Sequence, residues 1–230
     1  MSNGLKFYAA GVSAALAIAL LTGAAGAPQT TFEEIDVERI NIREADGRLR
    51  MIISGTDRAP GIIVEGEERP HPAGRDQAGM IFYTPDETEV GGLIFSGGTD
   101  GGRAHSGGSL TFDRYKQDQT IQLAQVEDGP DRYAGIFVND RPEGPMDFEA
   151  APSILAMEDA EARAAALEDA NFGAMPRAFL GRRTDDSASL DLHDAEGRKR
   201  LQLHVGPGGD AEIRFFDAGG NLTKRVAAAD

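Results

Sequence analysis

Ile40-Asn-Ile-Arg-Glu-Ala-Asp-Gly-Arg-Leu-Arg-Met-Ile-Ile53 reads as one β-hairpin. Ile40 and Ile42 alternate with polar Asn41 and Arg43, and Asp46-Gly47 supplies a turn in which glycine accepts positive φ. The same pattern returns 150 residues later as Leu190-Asp-Leu-His-Asp-Ala-Glu-Gly-Arg-Lys-Arg-Leu-Gln-Leu203. Gly47 then matches Gly197, Arg48 matches Arg198, and Ile40, Ile42, Met51 and Ile53 match Leu190, Leu192, Leu201 and Leu203. The offset also sets Ile63 on Ile213, so the repeat extends to a third strand. A repeated hairpin is an architectural signal and carries no chemistry of its own.

Outward from this hairpin the period-two pattern persists. Short β-rich stretches follow at Gly61-Ile-Ile-Val64, Gly79-Met-Ile-Phe-Tyr83, Gly92-Leu-Ile-Phe95, Ser109-Leu-Thr-Phe112, Thr120-Ile-Gln-Leu123 and Tyr133-Ala-Gly-Ile-Phe-Val138. The glycine-rich stretch from Gly97 to Gly108 reads as a mobile connection between strands. Pro152 to Asp169 alone breaks the pattern. Its helix formers predict one connecting helix near residues 152–170, with Ile154, Met157, Ala160, Ala164 and Leu167 on one stripe. About a dozen short strands in roughly two hundred residues imply an all-β fold. Repetition of short hairpins favours a closed or radially repeated sheet, propeller-like or barrel, with a β-sandwich as the alternative.

Residues 1–29 form a separate unit. Phe7 to Ala27 carries no charge, Lys6 precedes it, and Ala25-Gly-Ala27 offers a small-x-small exit. The run is long enough for an N-terminal transmembrane helix. A signal anchor and a cleaved signal peptide are both consistent with it, and Pro28 after the exit favours the anchor. Lys6 sets the N-terminus in the cytoplasm. The expectation is a chain anchored in the inner membrane with residues 30–230 outside the cytoplasm. The alternative is a soluble periplasmic or secreted body after cleavage.

The 230 residues carry 23 Lys and Arg against 38 Asp and Glu, a formal charge of −15. Phosphate binding needs clustered cations, and none occur, so nucleic acid is not expected as a partner. The absence of cysteine removes disulfides, thiolate metal sites and cysteine nucleophiles. His71, His105, His193 and His204 show no ligand spacing, so neither metal nor cofactor is expected. No Gly-x-Ser-x-Gly elbow occurs. Asp113 and Asp118 read as turn formers. Against a carboxylate-pair glycan hydrolase stand the absence of Trp and an aromatic content of 7%. The candidate binding residues are His71, Arg75, Asp76 and Gln77, grouped in a Pro-punctuated loop.

Several stretches carry a resemblance: Phe32-Glu-Glu-Ile-Asp-Val-Glu-Arg-Ile-Asn-Ile42, Pro60-Gly-Ile-Ile-Val64, Gly107-Gly-Ser-Leu-Thr-Phe-Asp113 with Gln117-Asp-Gln119, and Asp217-Ala-Gly-Gly220. Here the chain resembles a group of uncharacterised bacterial proteins that pair an N-terminal hydrophobic segment with repeated β-hairpins. The resemblance implies an exported β-repeat fold and transfers no activity and no functional residue. Together these readings predict a membrane-anchored, extracytoplasmic binding or structural module for a protein or envelope ligand. A cell-envelope hydrolase with a carboxylate pair is the alternative.

Overall fold

The computed structural model describes residues 30–71 and 74–227. The expected signal anchor or signal peptide of residues 1–29 lies outside them. Among the described residues no helix is long and apolar enough to cross a membrane.

The body, from Glu38 onward, is all-β. One antiparallel sheet of twelve strands runs through β1 (Arg39–Arg43), β2 (Leu49–Ser54), β5 (Ala78–Tyr83), β6 (Glu89–Asp100), β7 (Arg103–Asp113) and β8 (Gln119–Asp128). It continues through β9 (Asp131–Asp140), β10 (Met175–Arg182), β11 (Ala188–His193), β12 (Lys199–Val205), β13 (Ala211–Phe216) and β14 (Leu222–Ala227). The short hairpin β3 (Ile62–Val64) and β4 (Glu67–Arg69) forms a separate two-stranded sheet.

The order is a meander, and it corrects the expectation of closure. β1 pairs only with β2 and β14 only with β13, so no barrel forms. Unbroken pairing from β5 to β14 leaves no gap between blades, as a propeller requires. Nor do two large sheets stack as a sandwich. Tight turns set most strands beside their predecessors, but they do not supply the tilt and stagger that would return the last strand to the first.

One turn makes most of these hairpins. At residues 44–48, 84–88, 114–118, 183–187, 194–198, 206–210 and 217–221 the first residue's N–H donates to the fifth residue's carbonyl. The fourth residue's N–H donates back to the first carbonyl. Positive φ falls at the fourth position, at Gly47, Glu87, Asp186, Gly197, Gly209 and Gly220, and one residue earlier at Lys116. This is a three-residue loop ending in a left-handed residue, which shifts the register by one. Matching shifts follow Ile42, Phe82, Phe112, Leu192 and Phe215.

The glycine-rich stretch is not a loop. It is the longest hairpin of the sheet, with strands of 12 and 11 residues joined by Gly101-Gly102 at φ 54° and 84°. Two consecutive left-handed residues match the twist of the flanking strands.

The connector holds two helices rather than one, α1 (Ala151–Leu155) and α2 (Ala160–Asp169). Asp159 stands between them in extended conformation, and its carboxylate accepts from the N–H groups of Glu161 and Ala162 at 2.9 Å each. That N-cap starts a new helix and breaks the expected stripe. The segment sits at one end of the sheet: Gln117 donates to the Gly144 carbonyl at 2.8 Å, and Met146 N–H to the Lys116 carbonyl at 2.9 Å.

The principal core is small. Leu49, Ile52, Ile63, Ile81 and Tyr83 cluster where β3 lies on the β2–β5–β6 end of the sheet, with Ile94 against them. Further along, Phe179 on β10 covers Gly135 on β9. A Cβ at Gly135 would lie 2.6 Å from the Phe179 ring, so only glycine leaves room for it. Phe137 at 5.0 Å between centroids and the Arg183 guanidinium at 4.5 Å complete this stack.

Candidate binding surfaces

The register defines two faces with opposite chemistry. On one, Ile40, Ile53, Met80, Leu93, Leu110, Leu123, Ile136, Leu180, Leu190, Leu203, Ile213 and Val226 are cross-strand partners in succession. An apolar side chain from each of the twelve strands thus stands in one unbroken row. Beside it runs a second apolar row, Ile121, Val138, Ala178, Leu192, Leu201 and Phe215. Shifting by one residue along each strand reaches the other face. There the row from Phe179 reads Asp191, Gln202, Arg214 and Arg225.

The polar row is self-satisfied. The Asp191 side chain is 1% exposed and takes Arg183 Nη2 at 2.5 Å, Lys199 Nζ at 2.7 Å and Gln202 Nε2 at 2.9 Å. Arg214 donates to Gln202 Oε1 at 3.0 Å and also pairs with Glu212, which Arg225 bridges from the next strand. Burial alone raises the Asp191 carboxyl, but the hydrogen bonds and charges of Lys199, Gln202 and Arg183 outweigh it and hold it below the usual range. The buried carboxylates of this row, Asp191 and Glu212, each have cationic partners.

Among the described residues nothing comparable covers the apolar row. Leu123 and Leu180 keep 52% of their surface exposed, Phe95 59% and Phe112 53%. Toward the β14 edge, Leu180, Leu190, Leu203, Val205, Ile213 and Val226 line an open trough of about 680 Å³.

A third feature is a polar cleft of about 80 Å³ beside the connector, lined by His71, Arg75, Glu89, Asp113 and Asp118 among others. Arg75 is committed within it. Its guanidinium meets Glu89 Oε1 at 2.7 Å and donates to the Gly61 carbonyl at 3.0 Å, with both side chains mostly buried. Arg75 therefore pins the 71–77 loop to β6. Burial, then the Arg75 charge, lowers the His71 imidazole. Asp113 is pushed up to about 7, first by burial and then by Glu89 and Asp118, with Arg141 and Arg75 opposing. Its Oδ1 has no hydrogen-bond partner.

Of the four loop candidates, the structure brings His71 and Arg75 into one cleft. Asp76 faces a separate hollow with Phe95 and His105, and Gln77 one with Ser96 and Tyr133, although Gln77 still donates to Asp76. Sequence reasoning missed Asp113 as a buried acid. Its position beside a bulge, where the turn's first residue tucks the strand end inward, was the only cue. Among the described residues no cluster of His, Asp and Glu has metal-binding geometry. No known family model matches the chain, and no curated protein is similar to it.

Proposed function

We propose that this protein is a binding or structural module of the cell envelope, held at the membrane by its first 29 residues, whose working surface is the apolar face of the twelve-stranded sheet. One observation carries the reading: an uninterrupted apolar row crosses all twelve strands of the large sheet and is left largely uncovered by the described residues. Leu123, Leu180, Leu203, Val226, Phe95 and Phe112 are each more than two-fifths exposed on this face, and large contiguous apolar patches on a monomer mark interaction sites. Leaving that area in water is unfavourable, and a covering partner recovers it. The acidic charge suits a soluble body that repels anionic surfaces.

A carboxylate-pair hydrolase has less behind it. Asp113, Glu89 and Asp118 do converge, but the cleft they line measures about 80 Å³, far below the roughly 300 Å³ at which small-molecule sites begin.

Single-cysteine labelling tests the module reading, because the chain has no thiol of its own. Leu203→Cys in the apolar trough should be protected from a permeable maleimide in intact cells that produce the full chain. Asn41→Cys, exposed on the opposite face, should react freely. Equal and rapid labelling of both would mean that nothing covers the face, and the reading would fail. Fractionation of the same cells, with the N-terminus read by mass spectrometry, tests the anchor: an intact start in the inner-membrane fraction is expected.

A further inference from the structure

The row itself indicates what covers it. Resting on the module reading above, we propose that the occupant is a second copy of this chain, packed sheet to sheet about a twofold axis between β8 and β9.

Charge restricts where two copies can meet. Each carries −15, so most orientations bring like charges together. The central row has no charged member, and contact there avoids that penalty.

The sequence of the row is self-complementary. A twofold axis parallel to the strands, between β8 and β9, sets each strand against the one equally far from the opposite edge. Ile40 then faces the partner's Val226 and Ile53 the partner's Ile213, β-branched on β-branched at both edges. Toward the middle, Leu123 faces the partner's Ile136. An isologous interface requires this kind of self-match. The charged flank obeys the same symmetry. Glu127 and Arg132 are cross-strand partners beyond the apolar rows, and the rotation places Glu127 opposite the partner's Arg132.

Dimensions favour a sheet over a lipid. Twelve strands about 4.8 Å apart make a row roughly 50 Å long, whereas a lipid tail spans half of a hydrocarbon core about 30 Å thick. A single tail would leave most of the row bare. A second sheet matches its width, and a row of that length suits the roughly 800 Å² that each partner gives to a standard interface. The twist of each sheet turns its outer strands away from the partner, so contact is closest near the axis. The most exposed members of the row, Leu123 and Leu180, lie there.

The test is cross-linking in intact cells that produce the full chain. Leu123→Cys and Ile136→Cys each place the only thiol near the proposed axis, and a bismaleimide spanning about 10 Å matches the separation of packed sheets. Both variants should give a covalent dimer, and Asn41→Cys should not. Adding Leu180→Asp to Leu123→Cys should lower the cross-linked fraction at least about tenfold, because it sets an unpaired charge in the interface. The conservative cysteine variants keep the test valid even if the aspartate variant folds poorly. Absence of a dimer from both central thiols overturns the proposal. If those thiols are nonetheless protected from a monofunctional maleimide, another partner covers the face and the module reading survives. If they label freely, both readings fall. A dimer of equal yield from Asn41→Cys would also overturn the proposal, since it would place the contact elsewhere.

Discussion

Asp113→Asn should make the protein more stable at neutral and alkaline pH, and the gain should vanish in acid. In the native state the Asp113 carboxyl is pushed up to about 7 by burial, by Glu89 and by Asp118, against an ordinary value of 3.8. Between these two values the folded chain holds a proton that the unfolded chain has lost. Stability therefore falls as pH rises through that window. Each unit of the difference corresponds to about 1.36 kcal/mol, so full ionisation of Asp113 costs at most about 4 kcal/mol. Partial access to water and relaxation of the cleft bring the expected figure nearer 2 kcal/mol. The amide cannot ionise, and its N–H donors can point at the neighbouring carboxylates. Urea unfolding of both proteins at half-unit steps from about pH 2.5 to 8.5 reads the difference directly, and the subtraction cancels the titrating groups that Asp113 does not touch. The expected curve is flat below about pH 3, rises between the ordinary value of 3.8 and about 7, and reaches a plateau about one unit above that. A difference independent of pH would refute the reasoning and place Asp113 in contact with solvent.

Arg75→Met should cost about 3–5 kcal/mol, because Glu89 is left buried without its cation, and Arg75→Met with Glu89→Met should recover most of the loss; chemical denaturation of the two variants separates the ion pair from packing. Phe179→Ala removes the ring that covers Gly135 and stacks with Phe137 and Arg183, and a loss of about 3 kcal/mol in unfolding free energy is expected. Asp191→Asn should destabilise by about 2 kcal/mol at pH 7. Its carboxyl is held below 3.8 in the folded state, so the wild-type advantage is present above that value and disappears as pH falls beneath it, as melts at pH 7 and pH 2.5 will show. Asp159→Ala removes the cap of α2 and should lower stability by about 1 kcal/mol, with faster amide exchange at Glu161 and Ala162.

The features that local chemistry fixes were legible in the sequence, and those fixed by distant pairing were not. Alternation at Ile40 and Ile42, and again at Leu190 and Leu192, reveals half-buried strands because the period of two is local. Asp46-Gly47 and Glu196-Gly197 reveal turns for the same reason. Closure is different in kind: whether β14 reaches β1 depends on twist summed over twelve strands, and no single hairpin encodes it. The stretch from Gly97 to Gly108 reads as loose because it lacks apolar alternation. Its strand character comes from pairing within the hairpin, Phe95 with Gly108 through Asp100 with Arg103, and from β8 alongside His105 to Gly108. The cap at Asp159 was available as a helix-start signal, and the strong helix formers on both sides obscured it. In the 71–77 loop, residue types alone suggested one surface. Arg75 is drawn inward by Glu89, 14 residues away on another strand, while Asp76 turns elsewhere.

The two faces of the sheet also explain why a sheet of this width persists without closing. Strongly twisted open sheets rarely exceed about ten strands, because each added strand exposes a further strip on both faces. Here the polar face resolves that difficulty within the chain. The β3–β4 hairpin covers one end, aromatic rings fill the middle, and the Asp191–Gln202–Arg214 network joins the last strands. Among the described residues none of these devices appears on the apolar face, although all twelve strands of the large sheet contribute a side chain to it. A chain under selection only to fold alone would gain stability from breaking that row with polar residues at the exposed centre, at Leu123 or Leu180. The row is instead apolar at all twelve positions, and the proposed covering partner rests on that pattern.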